Sequence, residues 1–236
     1  TGSSNLTMLL TKEQMFTENT ITAGPNHLLA GYYTSFRGQI SANSIIEWFR
    51  KEIAQEDDAA AFFERMEKEA GQVPAGSRGL IALDFFQGNR HPYLDTRVRG
   101  MIYGLSLKHT KADIYRCLLE GIAYGTGNLL RQYRQAGVEI GEVNISGGTT
   151  NSDVFMQIMA DVGNVKINVP ADCQSVCMGA AICAAYAAGY YDSLPDAVSG
   201  MVSYKKVLEP KAEKVGKYQR LFQRYREIYP LMKEWM

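Results

Sequence analysis

The chain opens on alternating apolar and polar positions and then changes period. Residues 6–10, Ile21 and residues 28–36, the last run carrying Gly31 and the pair Tyr32-Tyr33, are rich in β-formers and read as strands. Turns are expected between them at residues 17–19 and at Gly24-Pro25-Asn26. From Ala42 the spacing becomes helical. Ala42, Ile45, Ile46, Phe49 and Ile53 share one face, with Ser41 or Asn43 as candidate cap. A second helix is predicted over residues 59–69, with Phe62, Phe63 and Met66 on its apolar face. Residues 71–79 read as a loop rich in Gly and Pro, and residues 80–86 as a short buried strand.

Residues 87–107 carry many turn formers and few clear periods, and long irregular stretches inside compact domains are commonly functional or tied down by specific contacts. Thr110-x-x-Asp113 has the form of a capping box. Ile114, Cys117, Leu118, Gly121, Ile122, Gly125, Leu129 and Leu130 continue it as a long helix that stops at Gly137. Small residues at Gly121, Gly125 and Gly127 would let another backbone come close. Next come a strand over residues 143–146, a turn at Gly147-Gly148, a helix over 151–162 ended by Gly163, and a strand over 165–169 ended by Pro170. An Ala-rich helix over 176–188, ended by Gly189, is expected to pack tightly on nearly every side. The last helix, over 212–229, sets Val215, Tyr218, Phe222, Tyr225 and Tyr229 in one docking stripe. Strands alternating with helices of this length imply a sheet with helices on its faces, and no internal repeat or domain boundary is visible.

Composition narrows the class. With 236 residues, 46% of them hydrophobic and 21% charged, the chain is an ordinary globular one, which excludes disorder, collagen-like repeats and coiled-coil fibres. Twenty-five basic and 25 acidic side chains leave no long-range positive field to capture nucleic acid or an anionic membrane, so neither is expected as a partner. The four cysteines, at 117, 173, 177 and 183, form no C-x-x-C pair, and none of the three histidines stands at zinc-finger spacing from a cysteine pair. Buried, reduced thiols in a cytoplasmic protein are the expectation. No apolar run reaches the roughly 18 residues of a membrane span. The opening TGSSNLTMLL, with no initial methionine, leads to the expectation of a piece of a longer chain.

Three segments are candidates for chemistry. In residues 145–152, ISGGTTNS, a strand ends on two glycines and feeds a helix whose first amides and dipole favour an anion. A tight turn without a ligand has the same pattern. Thr1-Gly2-Ser3-Ser4 puts hydroxyls and a glycine before a strand, able to donate to phosphate oxygens or to be a flexible end. Residues 177–181, CMGAA, would pack against a nucleotide-binding turn or simply against another helix. Asp84, Asp95, Asp153 and Asp161 are candidates for a base or for magnesium, although a lone carboxylate beside a turn is usually a cap or an ion-pair partner. There is no G-x-S-x-G elbow, no G-x-x-x-x-G-K-[ST] and no G-x-G-x-x-G.

In order, TGSS with its following strand, FQGNRHPYLDTRVRGMIYGLSLKHT with IYRCLLEGIAYGT, ISGGTTNSDVFMQIMADV, and CMGAAICAAYAAGYYDS resemble the carboxy-terminal half of the FGGY family of carbohydrate kinases. They resemble in turn its phosphate loop, its Pro-Tyr-x-Asp and Arg-Gly stretch, its adenosine motif and the helix behind that motif. The GNR-x-PY-x-D string is most like the pentulose and ribulose kinases. The resemblance implies an α/β fold of ribonuclease-H-like (actin-like ATPase) type, a mixed sheet with helices on both faces. Residues 1–236 would be the carboxy-terminal ATP-binding domain, with the amino-terminal sugar-binding domain absent. It implies ATP and Mg²⁺ as cofactors, and a sugar or polyol whose hydroxyl is phosphorylated. Gly147, Gly148 and Ser152 map onto the turn over adenine and ribose, and Asn43 and Glu47 onto the helix flanking the adenine, where glycerol-kinase-like members carry Gly and Gln. In the phosphate loop either Gly2 with Ser3 or Thr1 with Gly2 would meet the γ-phosphate. The catalytic aspartate would lie upstream of Thr1, so that the isolated chain is inactive in transfer, and no metal ligand is assigned in it. Many family members are dimers, so the Tyr-rich last helix with Trp235 reads as an interface or, preferably, as a helix docked on its own domain. The alternative of another class is a non-catalytic actin- or chaperone-like nucleotide-binding or assembly module.

Overall fold

The computed structural model describes residues 2–15, 21–172 and 174–235. Its strands form three ladders. β1 (Asn5–Thr11) pairs antiparallel along its length with β3 (Tyr33–Gln39), and β3 takes β2 (Ile21–Pro25) on its other edge. β4 (Ile81–Leu83) and β5 (Met101–Tyr103) make a short antiparallel pair. β6 (Glu142–Asn144) runs parallel to β7 (Lys166–Pro170), whose far side carries β8 (Tyr204–Leu208) antiparallel. The architecture is mixed α/β, and the single mixed sheet expected from the sequence is divided among the described residues into these ladders.

One long helix, α3 (Lys111–Gln135), joins the first two ladders by packing on β1, β3 and β4. It starts on a complete capping box, with Thr110 accepting from the Asp113 amide and Asp113 accepting from the Thr110 amide, and it ends before Gly137 in the left-handed conformation. Its burial along nearly its whole length forces its polar side chains to find partners inside the protein. Glu120, 1% exposed, accepts from the Gly76 amide (2.9 Å), Ser77 Oγ (2.9 Å), Arg116 Nε (3.1 Å) and Tyr218 Oη (2.9 Å). Burial still raises its carboxyl above the usual range, against the pull of Arg116.

A second buried network ties β1, β3, α3 and the last helix to Asp84. Asp84 accepts from Tyr225 Oη (2.5 Å) and Gln39 Nε2 (2.7 Å), while Gln39 Oε1 accepts from Asn5 Nδ2 (2.9 Å) and Thr126 Oγ1 (2.7 Å). Glycines on α3 make room for this. A Cβ on Gly121 would stand 2.7 Å from the Ala82 carbonyl oxygen, and one on Gly125 would stand 2.5 Å from Asp84 Oδ2. The backbone approach expected of the α3 glycines therefore holds at Gly121, whereas Gly125 admits buried polar side chains and Gly127 lies against Val162 and Phe222.

Several local expectations are corrected. Asn26 is left-handed (φ 64°) and accepts from the Gly31 amide, which closes residues 26–32 into a loop and delays β3 to Tyr33. The turn expected at residues 17–19 lies outside the described residues. α1 (Asn43–Trp48) is preceded by Ala42 rather than by a capping side chain, because carbonyls of residues 2 and 3 take its first donors. A π-helical turn, Phe49–Ala54, follows, so that Phe49, Arg50 and Ala54 face inward and Ile53 is left exposed. α2 (Ala59–Gln72) starts on the Asp58 side chain and buries Phe62, Met66 and Ala70.

α4 (Asp153–Gly163) begins two residues later than the pattern suggests, after a 3₁₀ turn over Gly148–Asn151. The largest departure is α5 (Ser175–Ala187). Only Ile182 on it is buried and Val176 is 88% exposed, so the tight packing expected around it is not found among the described residues, where α6 (Leu194–Met201) lies against it. Of its cysteines, Cys177 and Cys183 are exposed, while Cys117 on α3 is buried. Cys173 is outside the described residues. α7 (Ala212–Met232) docks on the body through Tyr218, Tyr225 and Tyr229.

Burial pushes the Asp84 carboxyl up to about 6, although Tyr225 and Gln39 donate to it. Between about pH 4 and 6 the folded chain keeps a proton that the unfolded chain has lost. Stability therefore falls as pH rises through that window and is level in this contribution above it, over a range of about 3 kcal/mol. Urea unfolding of wild type and Asp84→Asn from pH 4 to 7 should differ by that slope. Parallel pH profiles would show that Asp84 does not titrate so.

Candidate functional site

The start of α1, one side of α2, the middle of α3 and the 148–152 turn enclose a cavity of about 450 Å³. Its walls combine apolar surface from Ile46, Phe63, Leu119 and Phe155 with polar groups from Asn43, Glu64, Glu67 and Thr149. Tyr115 from α3 also lines it; burial first, then the charges of Glu67 and Glu47, raises its phenol pKa. The cavity is thus largely apolar, with two acidic side chains contributed by α2.

The residues singled out from the sequence fall around this cavity with different roles. The opening turn is tied to the head of α1: the Ser3 carbonyl accepts from the Ala42 amide (2.9 Å) and Ser44 Oγ (2.9 Å), and the Gly2 carbonyl accepts from the Asn43 amide (3.3 Å). Gly2 and Ser3 are exposed beside it, and Thr1 is outside the described residues. Asn43 lines the cavity. Glu47, one turn on, is not among the lining residues and pairs with Arg50 Nη2 (3.0 Å).

Gly147 has φ 102° and ψ 177°, a backbone state open chiefly to glycine, which turns the chain from β6 into the 3₁₀ segment. Gly148 lines the cavity, and a Cβ built there meets nothing within 4 Å. Ser152 also lines it, but its hydroxyl donates to Glu67 Oε2 (2.6 Å) and accepts from the Phe155 amide (3.0 Å). The Val154 amide donates to Glu67 Oε1 (2.7 Å). A carboxylate from α2 therefore already occupies the amino end of α4, where the sequence pattern suggested free amides for a ligand anion.

Segment 177–181 does not line the cavity, although Ser175 Oγ at the head of α5 is 2.8 Å from Ser146 Oγ beside the Gly147 turn. The four candidate carboxylates serve the fold. Asp84 is in the core network, Asp95 accepts from Tyr229 Oη (3.1 Å), Asp153 pairs with Lys206, and Asp161 accepts from the Lys211 amide (2.8 Å). Among the described residues no group of three or more His, Cys, Asp or Glu side chains is assembled to hold a metal ion. Glu67 escapes local sequence reading because its partners lie 85 and 87 positions away.

Residues 1–188 match the FGGY family of carbohydrate kinases, C-terminal domain, and the chain belongs to that family. It is similar to the ribulokinase of Bacillus licheniformis, 32% identical over 241 residues that cover 97% of this chain and 44% of that one. It is likewise similar to the ribulokinase of Halalkalibacterium halodurans, at 35% identity over 240 residues, 95% of this chain and 42% of the relative. Among solved structures, the xylulose kinase from Rhodospirillum rubrum superposes with a TM-score of 0.88 at 26% identity, over 99% of this chain and 46% of its own. A Plasmodium falciparum glycerol kinase solved with ADP superposes at 0.81 and 22% identity, over 96% of this chain and 46% of its own, a likeness of fold alone. The chain spans less than half the length of these relatives.

The Ser152–Glu67 latch is testable by itself. Ser152→Ala should cost about 1–2 kcal/mol in urea unfolding, as for loss of a helix cap. With Glu67→Ala in a double-mutant cycle, the coupling should exceed about 0.5 kcal/mol. Additive losses would mean that the two side chains act separately.

Proposed function

We propose that residues 1–236 form the nucleotide-binding, carboxy-terminal half of an ATP-dependent kinase for a sugar or polyol, of pentulose- or ribulose-kinase type, in a domain of ribonuclease-H-like topology. The observation that carries this is the convergence on one cavity of Asn43 and Gly148 with an opening turn bonded to the helix that bears Asn43. Apolar walls at Ile46, Phe63 and Phe155 suit a purine base. The acidic edge at Glu64 and Glu67 suits donors, such as ribose hydroxyls or an exocyclic amine, and repels phosphate. The triphosphate therefore runs the other way, toward Gly2 and Ser3, where hydroxyl and backbone groups carry no negative charge.

Gly147, by its backbone state, and Gly148, by its open Cβ direction, keep the turn low over the nucleoside. Ser152 acts through Glu67, holding the turn in place, and Glu47 steadies α1 through Arg50. Magnesium, when bound, neutralises phosphate charge, and it would be held chiefly by the nucleotide. In-line phosphoryl transfer further needs a positioned base and a bound acceptor. In this reading both come from the portion of the kinase that the chain does not span, and the working enzyme is cytoplasmic and dimeric.

Titration calorimetry with MgATP should give binding heat at millimolar nucleotide. Gly148→Asp should abolish it while leaving the unfolding midpoint nearly unchanged, since the new side chain enters open space and places a negative charge in the cavity. Equal heats from both proteins, or none from either, would remove the nucleotide reading. This chain alone should transfer no measurable phosphate. The longer kinase, screened against ketopentoses, polyols and hexuloses, should release ADP with one of them.

A further inference from the structure

Tyr115, Leu119 and Ile122 of α3 line the 450 Å³ cavity, and their spacing of i, i+4 and i+7 puts them on one face of the helix. Two of the three are aliphatic. Tyr115 is only 3% exposed, and its ring packs against Phe49 and Phe62 with centroids 6.0 and 5.8 Å away, which holds the phenol in one place. Its hydroxyl makes no hydrogen bond among the described residues. The oxygen is not sealed off, and for a side chain buried this deeply the cavity is where it opens. Buried polar groups find partners, so a fixed hydroxyl turned into a cavity is a contact point for whatever fills it.

The other polar groups of the wall are less able to discriminate between ligands. Glu67 is engaged on both oxygens, by Ser152 and by the Val154 amide. Asn43 offers a donor and an acceptor from one carboxamide that can rotate to suit either. Glu64 is exposed, so water competes for it. Tyr115 differs from all three in being dry, fixed and held in the field of Glu67 and Glu47, which keeps its proton on. That field draws the hydroxyl hydrogen toward the carboxylates and leaves an oxygen lone pair to the cavity.

We propose that Tyr115 is the base-specificity residue of this site: its hydroxyl oxygen accepts a hydrogen bond from the exocyclic amine of an aminopurine and disfavours a purine that carries an oxo group there. This rests on the nucleotide reading of the cavity and narrows it, from any purine to the 6-amino one. The apolar walls at Ile46, Phe63 and Phe155 hold either ring equally, because the two have nearly the same shape. An oxo group would set two acceptors against each other beside the carboxylates of α1 and α2. Discrimination therefore comes from the one buried polar atom that α3 turns into the cavity.

Titration calorimetry with the magnesium complexes of ATP and of inosine triphosphate reads the choice directly, since the second differs only by an oxo group in place of the amine and the ring hydrogen that goes with it. The wild-type chain should bind ATP at least about tenfold more tightly. Tyr115→Phe should bring the two affinities within about threefold of each other by weakening ATP alone. A loss shared equally by both nucleotides would make Tyr115 structural and overturn the proposal. A selectivity that survives Tyr115→Phe and disappears in Glu64→Gln would overturn it too. Equal affinities of the wild-type chain for the two nucleotides would do the same while leaving the nucleotide reading in place, and this comparison holds whether or not the Phe variant folds. No heat from either nucleotide would remove the nucleotide reading and this inference with it.

Discussion

Glu120 is a carboxylate almost without access to water, and donors from three directions converge on it: the Gly76 amide and Ser77 hydroxyl from the loop before β4, Arg116 one turn back on α3, and the Tyr218 phenol from α7. Leaving one such charge unpaired in a protein interior costs several kcal/mol, so the elements that bring these donors are not free to move independently. Arg116 extends the constraint to the end of α2, through the Ala70 carbonyl. The position of α3 is thereby fixed against α2, β4 and α7 together. The cavity lies between α3 and one of those partners, since α2 and α3 both contribute to its walls.

The candidate site inherits its precision from that arrangement. Glu67 reaches the head of α4 only because α2 is held across α3 at the right height, and the 148–152 turn takes its place from that contact. The fold thus provides its own anion at a helix end that a phosphate could otherwise have taken. In the proposed nucleotide reading, this would separate the two ends of the ligand by electrostatics.

What could be read from the sequence was what is local. The capping box at Thr110 and Asp113, the tyrosine stripe of α7 and the glycine turn after β6 depend on neighbours within a few positions, and each has a recognisable spelling. Neither α6 nor β8 is predicted, since neither stands out by apolar period, although Ser193 caps α6 and Pro195 stands in its first turn. Ile53 faces solvent because one π-helical turn shifts the stripe, a change that composition does not signal. The role of Glu67, the donors to Asp84 and the exposure of α5 depend on contacts far along the chain or on surfaces left uncovered. Periodicity carries no information about them.

The family match ends at residue 188, well before α7 begins. Yet α7 supplies the phenol that serves Glu120 and the one that serves Asp84, while Tyr229 stacks on Tyr93 with ring centroids 4.0 Å apart. The family model therefore stops short of the cooperative unit, although the ribulokinase relatives match 95–97% of the chain and so run on into this tail. A chain ended at residue 188 would leave two buried carboxylates each short of a donor.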